Sequence, residues 1–233
     1  MNQLYRITYL LIVLVLCSKM SLGDEFGQIM RTGEFHGDEI SAADGEEWYV
    51  LYSKDNKFFL EKTNIKLKMV EDVILDERGE KTGKEVSVNL DGDPVLLLKN
   101  FPDLTSGEIE TSHNQKIYFF EQNSFDIKIG KNEYQLKMNI LDSKAELILT
   151  DGSLTQNLKE FFTYKADDSI NIFGDDAMPS LIWAGDLDKD NKPDFLLDMT
   201  SHYNVSEITL FLSSHASKDE LVGKAAVFRT VGC

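Results

Sequence analysis

The chain has 233 residues, of which 42% are hydrophobic and only four are proline, so it can form one large or two small domains with a sizeable core. Acidic residues outnumber basic ones by 40 to 24, and the formal net charge is −16. Because a surface this negative repels phosphate backbones and anionic lipids, the composition argues against a nucleic-acid-binding protein.

The N-terminus has the pattern of a targeting segment. Arg6 precedes an uninterrupted apolar run over residues 10–16, which is too short to span a membrane as a helix. Small residues at Ser21 and Gly23 then fit a cleavage site. The pattern predicts a signal peptide over residues 1–23 and an exported protein that is periplasmic, displayed on the cell surface or secreted.

The two cysteines bear on membrane attachment and on disulfides. Cys17 ends a Leu-Val-Leu-Cys sequence that resembles a bacterial lipobox, although Leu16 stands where a small residue is usual. We expect membrane attachment only if Cys17 is lipidated. Cys233 is the only other cysteine, so cleavage after residue 23 leaves no internal disulfide, and this thiol is either free or paired between chains.

The rest of the chain divides into two parts by composition. Residues 24–46 are polar, rich in glycine and acidic residues, and contain no long apolar run. We interpret this segment as a loosely ordered lead-in. Residues 47–233 then form the predicted β-rich domain, since no linker rich in proline, glycine or serine interrupts them.

Strand patterns begin at once in this domain. Residues 48–52 are aromatic and β-branched, a charged turn follows, and residues 58–60 resume the pattern, which predicts a hairpin. Residues 64–69 alternate polar and apolar side chains with a period of two. Residues 70–75 continue in the same manner, so we expect strand there as well.

Further strand patterns follow to the end of the chain. Short apolar segments occupy residues 86–88, 95–98 and 145–149, and residues 125–129 and 134–138 alternate on either side of a turn, which predicts a second hairpin. At least eight segments of this kind predict an all-β or β-dominated fold.

The same patterns indicate antiparallel hairpins and a meander with at most one or two short helices. Residues 154–164 alone leave a helix and a strand-loop-strand passage open.

Four carboxylates are spaced as the ligands of a calcium loop. Asp186, Asp188, Asp190 and Asp194 occupy loop positions 1, 3, 5 and 9, and the carbonyl of Lys192 occupies position 7. Calcium takes six to eight oxygen ligands, magnesium requires a smaller octahedron, and zinc or copper would require histidine or cysteine. Because packed carboxylates repel each other without a cation, the loop predicts a Ca²⁺ site.

Two departures argue against a calcium sensor of the helix-loop-helix type. Asn191 stands at position 6, where the turn needs a positive φ that glycine or asparagine tolerates. Leu197 stands at position 12 in place of the bidentate glutamate, and Asp198 one residue later is a spare ligand candidate. The apolar flanks on both sides of the loop predict strands.

This strand-loop-strand segment resembles one known repeat. The sequences Gly-Asp-Leu-Asp at 185–188, Asp-Asn-Lys-Pro-Asp at 190–194 and Phe-Leu-Leu at 195–197 resemble the FG-GAP or VCBS-type repeat of integrin-like propellers and many secreted bacterial proteins. The resemblance, limited to residues 183–198, implies bound calcium and leaves the function open. A propeller needs several repeats, and the sequence shows one.

Catalytic motifs are scarce. Asp198, Ser201 and His202 are crowded into five residues and no Gly-x-Ser-x-Gly elbow is present, so a nucleophilic triad is disfavoured. We therefore expect an exported calcium-binding β protein of a bacterial envelope or secretome, without enzymatic activity. Its expected role is binding, adhesion or structure, with a protein or carbohydrate partner. The alternative is a secreted glycan hydrolase, which needs two carboxylates about 5–10 Å apart.

Overall fold

A computed structural model describes residues 27–141, 143–165 and 171–232. The predicted signal peptide, Cys17 and Cys233 therefore lie outside the described residues. No helix in the described part has the length and apolar character needed to cross a membrane.

Antiparallel strands make up most of the described chain. In chain order they are β1 (Gln28–Met30), β2 (Gly33–Phe35), β3 (Glu47–Lys54), β4 (Lys57–Val70), β5 (Gly83–Val88), β6 (Asp93–Lys99), β7 (Gly107–Ile109), β8 (Thr111–His113), β9 (Ile117–Tyr118), β10 (Ser124–Ile129), β11 (Asn132–Ile140), β12 (Lys144–Thr150), β13 (Thr155–Lys165), β14 (Asn171–Phe173), β15 (Ser180–Gly185), β16 (Asp194–Asp198), β17 (Val205–Leu212) and β18 (Gly223–Val231).

The strands form three sheets. The first has the order β1-β6-β3-β4-β5-β2, with β7 beside β4, and the second is the meander β10-β11-β12-β13-β14. The third has the order β18-β17-β16-β15-β8, with β9 beside β15. Within the described residues the only helical segments are two 3₁₀ turns, Gly174–Asp176 and Ser213–His215. The predicted all-β class is confirmed.

The third sheet is the central layer of the molecule. Every residue of β15 and β16 is buried, as expected for strands covered on both faces. Along β16, Leu196 joins a hydrophobic core shared with the first sheet, whereas Phe195 and Leu197 join a core shared with the second sheet. Because side chains alternate across a strand, one apolar run supplies both cores.

Both predicted hairpins are present. β3 pairs with β4 around a tip in which Asp55 and Asn56 have positive φ, and β10 pairs with β11 across Gly130. The sequence left two alternatives for residues 154–164, and all of them except Leu154 belong to the single strand β13.

The prediction of strand over residues 70–75 was wrong beyond Val70. β4 ends at Val70, and a turn follows in which Asp72 Oδ1 accepts hydrogen bonds from the backbone N–H groups of Ile74 and Leu75. A carboxylate that binds nearby backbone donors offers the chain an alternative to the sheet, and here the alternative prevails.

The prediction that residues 24–46 form a loosely ordered lead-in was also wrong for part of this segment. Ile29 pairs with Leu98, so that β1 extends the first sheet, and Ile29, Met30 and Ile40 are buried in its core. Few apolar residues are needed, because the pairing partner on β6 supplies the rest of the hydrophobic surface.

Candidate metal centre

The predicted calcium loop connects β15 to β16, two fully buried strands. Gly185 pairs with Asp194 at the mouth of the loop. Gly185 has no room for a side chain, because an added Cβ would lie 2.3 Å from the ring of Trp183 and 2.5 Å from the carbonyl oxygen of Glu110. The same carbonyl accepts the backbone N–H of Asp186 at 2.9 Å. The start of the loop is thus fixed against β15 and the chain before β8.

Three aspartates converge in this loop. One carboxylate oxygen from each of Asp186, Asp188 and Asp194 lies within 4.8 Å of the others. Asp194 is fully buried, and Asp186 is 6% exposed. Three acidic oxygens this close, in partly dehydrated surroundings, form a cluster that could hold a metal ion.

Asp194 and Asp186 are held by backbone donors. Asp194 Oδ2 accepts the N–H of Leu187 at 2.7 Å, and Oδ1 accepts the N–H of Ser213 at 2.8 Å. Asp186 Oδ1 and Oδ2 accept the N–H groups of Asp190 and Asn191, both at 3.0 Å. These bonds fix the direction in which both carboxylates point.

Asp188 differs from the other two. Its Oδ2 accepts the hydroxyl of Ser214 at 2.5 Å, but its Oδ1 is buried without a hydrogen-bond partner in the described structure. A buried carboxylate oxygen without a donor costs about 1–3 kcal/mol or more, and a cation would satisfy it. The residues therefore fit a hard cation bound by oxygen.

Burial raises the pKa of all three carboxyls. Burial is the main cause for each, and it lifts the pKa of Asp194 furthest, well above its usual value. Repulsion from the neighbouring carboxylates adds to the effect in each case. A cation among these groups would favour their ionised forms.

The structure gives Asp190 and Lys192 other contacts. Asp190 lies outside the converging group; its Oδ1 accepts the N–H of Lys192 at 2.8 Å, and its Oδ2 accepts the hydroxyl of Ser213 at 3.0 Å. Lys192 Nζ is 3.6 Å from the same Oδ2. Their predicted roles at positions 5 and 7 stay predictions.

Asp198, the predicted spare ligand, also lies outside the converging group. It is buried at the other end of β16, where it accepts the hydroxyl of Ser206 at 3.0 Å and the N–H of Glu207 at 3.0 Å. Its carboxylate connects β16 to β17.

The backbone of the loop agrees with the expected turn and adds one feature. Asn191 has φ of 64°, as predicted for position 6. Lys189 also has φ of 63°, which its sequence position did not indicate. A lysine in this region costs about 1–2 kcal/mol, so the surrounding hydrogen bonds must hold it there.

Two site residues were missed from sequence. Ser213 and Ser214 belong to the 3₁₀ turn after β17 and contact three of the loop carboxylates, from about twenty residues away along the chain. No local pattern marks them. Only the pairing of β16 with β17 brings this turn to the loop.

The disfavoured Asp-Ser-His triad does not assemble among the described contacts. His202 Nε2 contacts the carboxylate of Asp175, whereas Asp198 binds Thr200, Ser206 and Glu207. The polar segment between β16 and β17 is a loop at the opposite end of β16 from the aspartate cluster.

Fold and site together define an all-β protein with three antiparallel sheets and a buried aspartate cluster suited to a metal ion. Comparison of the chain with protein-family models, with curated proteins and with solved structures found no match.

Proposed function

We propose that this is an exported, non-enzymatic bacterial protein with a binding, adhesion or structural role, whose fold is stabilised by one Ca²⁺ ion. The ion is held by Asp186, Asp188 and Asp194. The observation that carries the proposal is the buried Oδ1 of Asp188, which has no partner among the described residues and lies in a cluster with two other carboxylates.

Calcium is favoured over other cations by the chemistry of the loop. All the candidate side-chain ligands are carboxylates, and neither histidine nor cysteine occurs in residues 186–194. Calcium takes six to eight oxygen ligands in a flexible geometry, whereas magnesium demands a near-ideal octahedron and keeps its waters, so a site built from protein carboxylates suits calcium better. The resemblance of residues 183–198 to an FG-GAP or VCBS-type repeat points to the same ion.

The expected effect is modest. Extracellular calcium modules bind with dissociation constants of about 0.1–1 mM. At about 1 mM calcium and a constant of about 0.1 mM, binding adds about 1.4 kcal/mol to the free energy of unfolding. For a chain of this length, that corresponds to a rise of roughly 3–6 °C in Tm.

The test is thermal unfolding of the purified protein in excess EDTA, in millimolar calcium and in millimolar magnesium. Trp183 is a local probe, because its ring lies beside Gly185, and a Trp48→Phe background leaves it as the sole tryptophan. We expect a calcium-selective rise in Tm that is lost in Asp188→Ala and kept in the control Asp126→Ala, an exposed aspartate on β10. An unchanged Tm with every divalent ion would falsify the proposal.

Export rests on the predicted signal peptide alone. The mass of the processed protein tests it, since cleavage after Gly23 removes residues 1–23, whereas lipidation leaves an acylated N-terminus at Cys17. An unprocessed chain contradicts export by this route.

A further inference from the structure

A cleft at the other end of the central hairpin has features of a ligand site. It has a volume of about 220 Å³, and Phe162, Gly174, Asp175 and Ser201 are among its lining residues. This end of the hairpin lies four residues along β16 from the aspartate cluster, a distance of about 13 Å. The cleft is therefore distinct from the candidate metal centre.

One exposed aromatic ring, that of Phe162, lines this cleft, and Tyr203 follows the lining residue Ser201 by two positions in the chain. Phe162 on β13 is 67% exposed, and Tyr203 is also 67% exposed, whereas both tryptophans are buried. The ring of Phe162 packs over Gly174, where an added Cβ would be 2.7 Å from Cδ1. The ring thus contacts the backbone of Gly174 on one side, and most of the side chain is exposed.

Polar groups next to these rings are held in place by neighbours. His202 pairs through Nε2 with Asp175 and stacks on Tyr203, with ring centroids 4.9 Å apart. Tyr164 donates its hydroxyl to Asp176 Oδ1 at 3.2 Å. Asp175 and Asp176 have φ of 57° and 50°, a strained conformation for two consecutive residues. A strained backbone conformation of this kind persists only where the surrounding structure holds it in place.

We propose that this cleft binds a neutral carbohydrate. An exposed aromatic ring offers a flat face to the apolar C–H face of a sugar ring, and nearby carboxylates and an imidazole can bind its hydroxyl groups. The cleft is smaller than the roughly 300–1,000 Å³ of sites for drug-sized ligands, so it suits one sugar unit.

Charge selects against the other ligand classes. Asp175, Asp176 and the net charge of −16 disfavour anionic glycans and phosphates. A free cation is less suited, because Asp175 already pairs with His202 and Asp176 already accepts a hydrogen bond from Tyr164. The hydroxyl groups of a sugar are neutral, so their binding does not require a carboxylate whose charge is left uncompensated.

The experiment is affinity electrophoresis of the folded protein in gels that contain one polysaccharide each. The neutral probes are a mixed-linkage β-glucan, a galactomannan and starch, and the anionic probe is alginate. We expect retardation by at least one neutral polysaccharide and none by alginate. Phe162→Ala and Tyr203→Ala should each weaken this binding about tenfold or more, since loss of one stacking ring costs about 1.4 kcal/mol.

The matched control is Phe120→Ala, an exposed ring that does not line the cleft and whose loss should leave retardation unchanged. Phe162 and Tyr203 are mostly exposed, so their variants should keep the Tm of the unchanged protein. Retardation by no neutral polysaccharide, or equal losses in Phe162→Ala and Phe120→Ala, overturns the proposal. So does retardation by alginate alone.

The proposal is independent of the calcium proposal. Below the unfolding temperature, retardation should be the same in EDTA and in calcium, because the cleft and the aspartate cluster are separate. Asp188→Ala should therefore keep carbohydrate binding, and Phe162→Ala should keep the calcium-dependent rise in Tm. Loss of retardation in EDTA, while the fold is intact, contradicts a separate site.

Discussion

At the scale of single residues, the aspartates of the loop have different roles. Asp194 accepts the buried N–H groups of Leu187 and Ser213, so it holds the loop whether or not an ion is bound. Asp188 accepts the hydroxyl of Ser214 on Oδ2, and its Oδ1 has no hydrogen-bond partner among the described residues. The first carboxylate is therefore part of the fold, and the second serves mainly the proposed ion.

This difference predicts that Asp194→Ala and Asp188→Ala lower the free energy of unfolding of the metal-free protein by different amounts. In excess EDTA, Asp194→Ala should lower the free energy of unfolding by about 2–4 kcal/mol, because two buried donors lose their acceptor. Asp188→Ala should change it by less than about 1 kcal/mol, since it removes an unsatisfied oxygen together with one partly exposed hydrogen bond. Urea unfolding measures both, and equal losses in the two variants would contradict the assignment.

A second residue-scale prediction concerns the ion pair of His36 and Asp72, whose Nδ1 and Oδ2 atoms are 2.5 Å apart. Their hydrogen bond raises the pKa of His36 and lowers the pKa of Asp72. Protonated His36 stabilises the fold below about pH 6.5, and this contribution is lost as the pH rises through its folded-state pKa. Ionised Asp72 stabilises above about pH 4, and that contribution is lost as the pH falls through its own.

The pair should therefore contribute most between about pH 4 and pH 6.5. We expect the loss in unfolding free energy caused by His36→Gln to be larger at pH 5.5 than at pH 8.5. His113→Gln is the matched control with the opposite trend, because burial lowers the pKa of His113, and the loss it causes should shrink as the pH falls. The same trend in both variants would rule out the His36 assignment.

At the scale of elements, β16 shows how one strand serves two cores. Leu196 and Leu197 are both fully buried, but Leu196 faces the core shared with the first sheet and Leu197 the core shared with the second. Leu196→Ala and Leu197→Ala should each cost about 2–5 kcal/mol.

Because both cores share the central sheet, each variant should still unfold in a single transition, with circular dichroism and Trp183 fluorescence coincident. Two separate transitions, with only one moved by Leu197→Ala, would show that the cores unfold independently. Val227→Ala on β18 is a control for strand substitution as such, since Val227 is 43% exposed and should cost little.

At the scale of the whole molecule, the loop between β15 and β16 contacts segments that adjoin both outer sheets. Asn132, at the start of β11, donates its side-chain N–H to the carbonyl of Asn191 at 3.1 Å. Lys189 Nζ donates to the carbonyl of Ser106, just before β7, at 3.1 Å. An ion in the proposed centre would therefore stabilise the junction of three sheets.

The sequence by itself determined the all-β class, the two hairpins and the position of the acidic loop. These features depend on local rules: alternation of side chains along a strand, turn-forming residues between strands, and tolerance of positive φ at Asn191. It did not determine the end of β4, because Asp72 forms a local turn there. Nor did it reveal β1 in a polar segment, because the apolar partner of Ile29 is Leu98.

Only the tertiary structure decided which carboxylates meet and what surrounds them. The loop turns the side chains of Asp186, Asp188 and Asp194 toward one another. Ser213 and Ser214 contact the loop from a distant part of the chain, and Phe162 packs over the distant Gly174 in the same way. Such contacts depend on how the sheets pack. Spacing along the sequence therefore predicts that a loop can bind a cation, whereas packing decides which oxygens face each other.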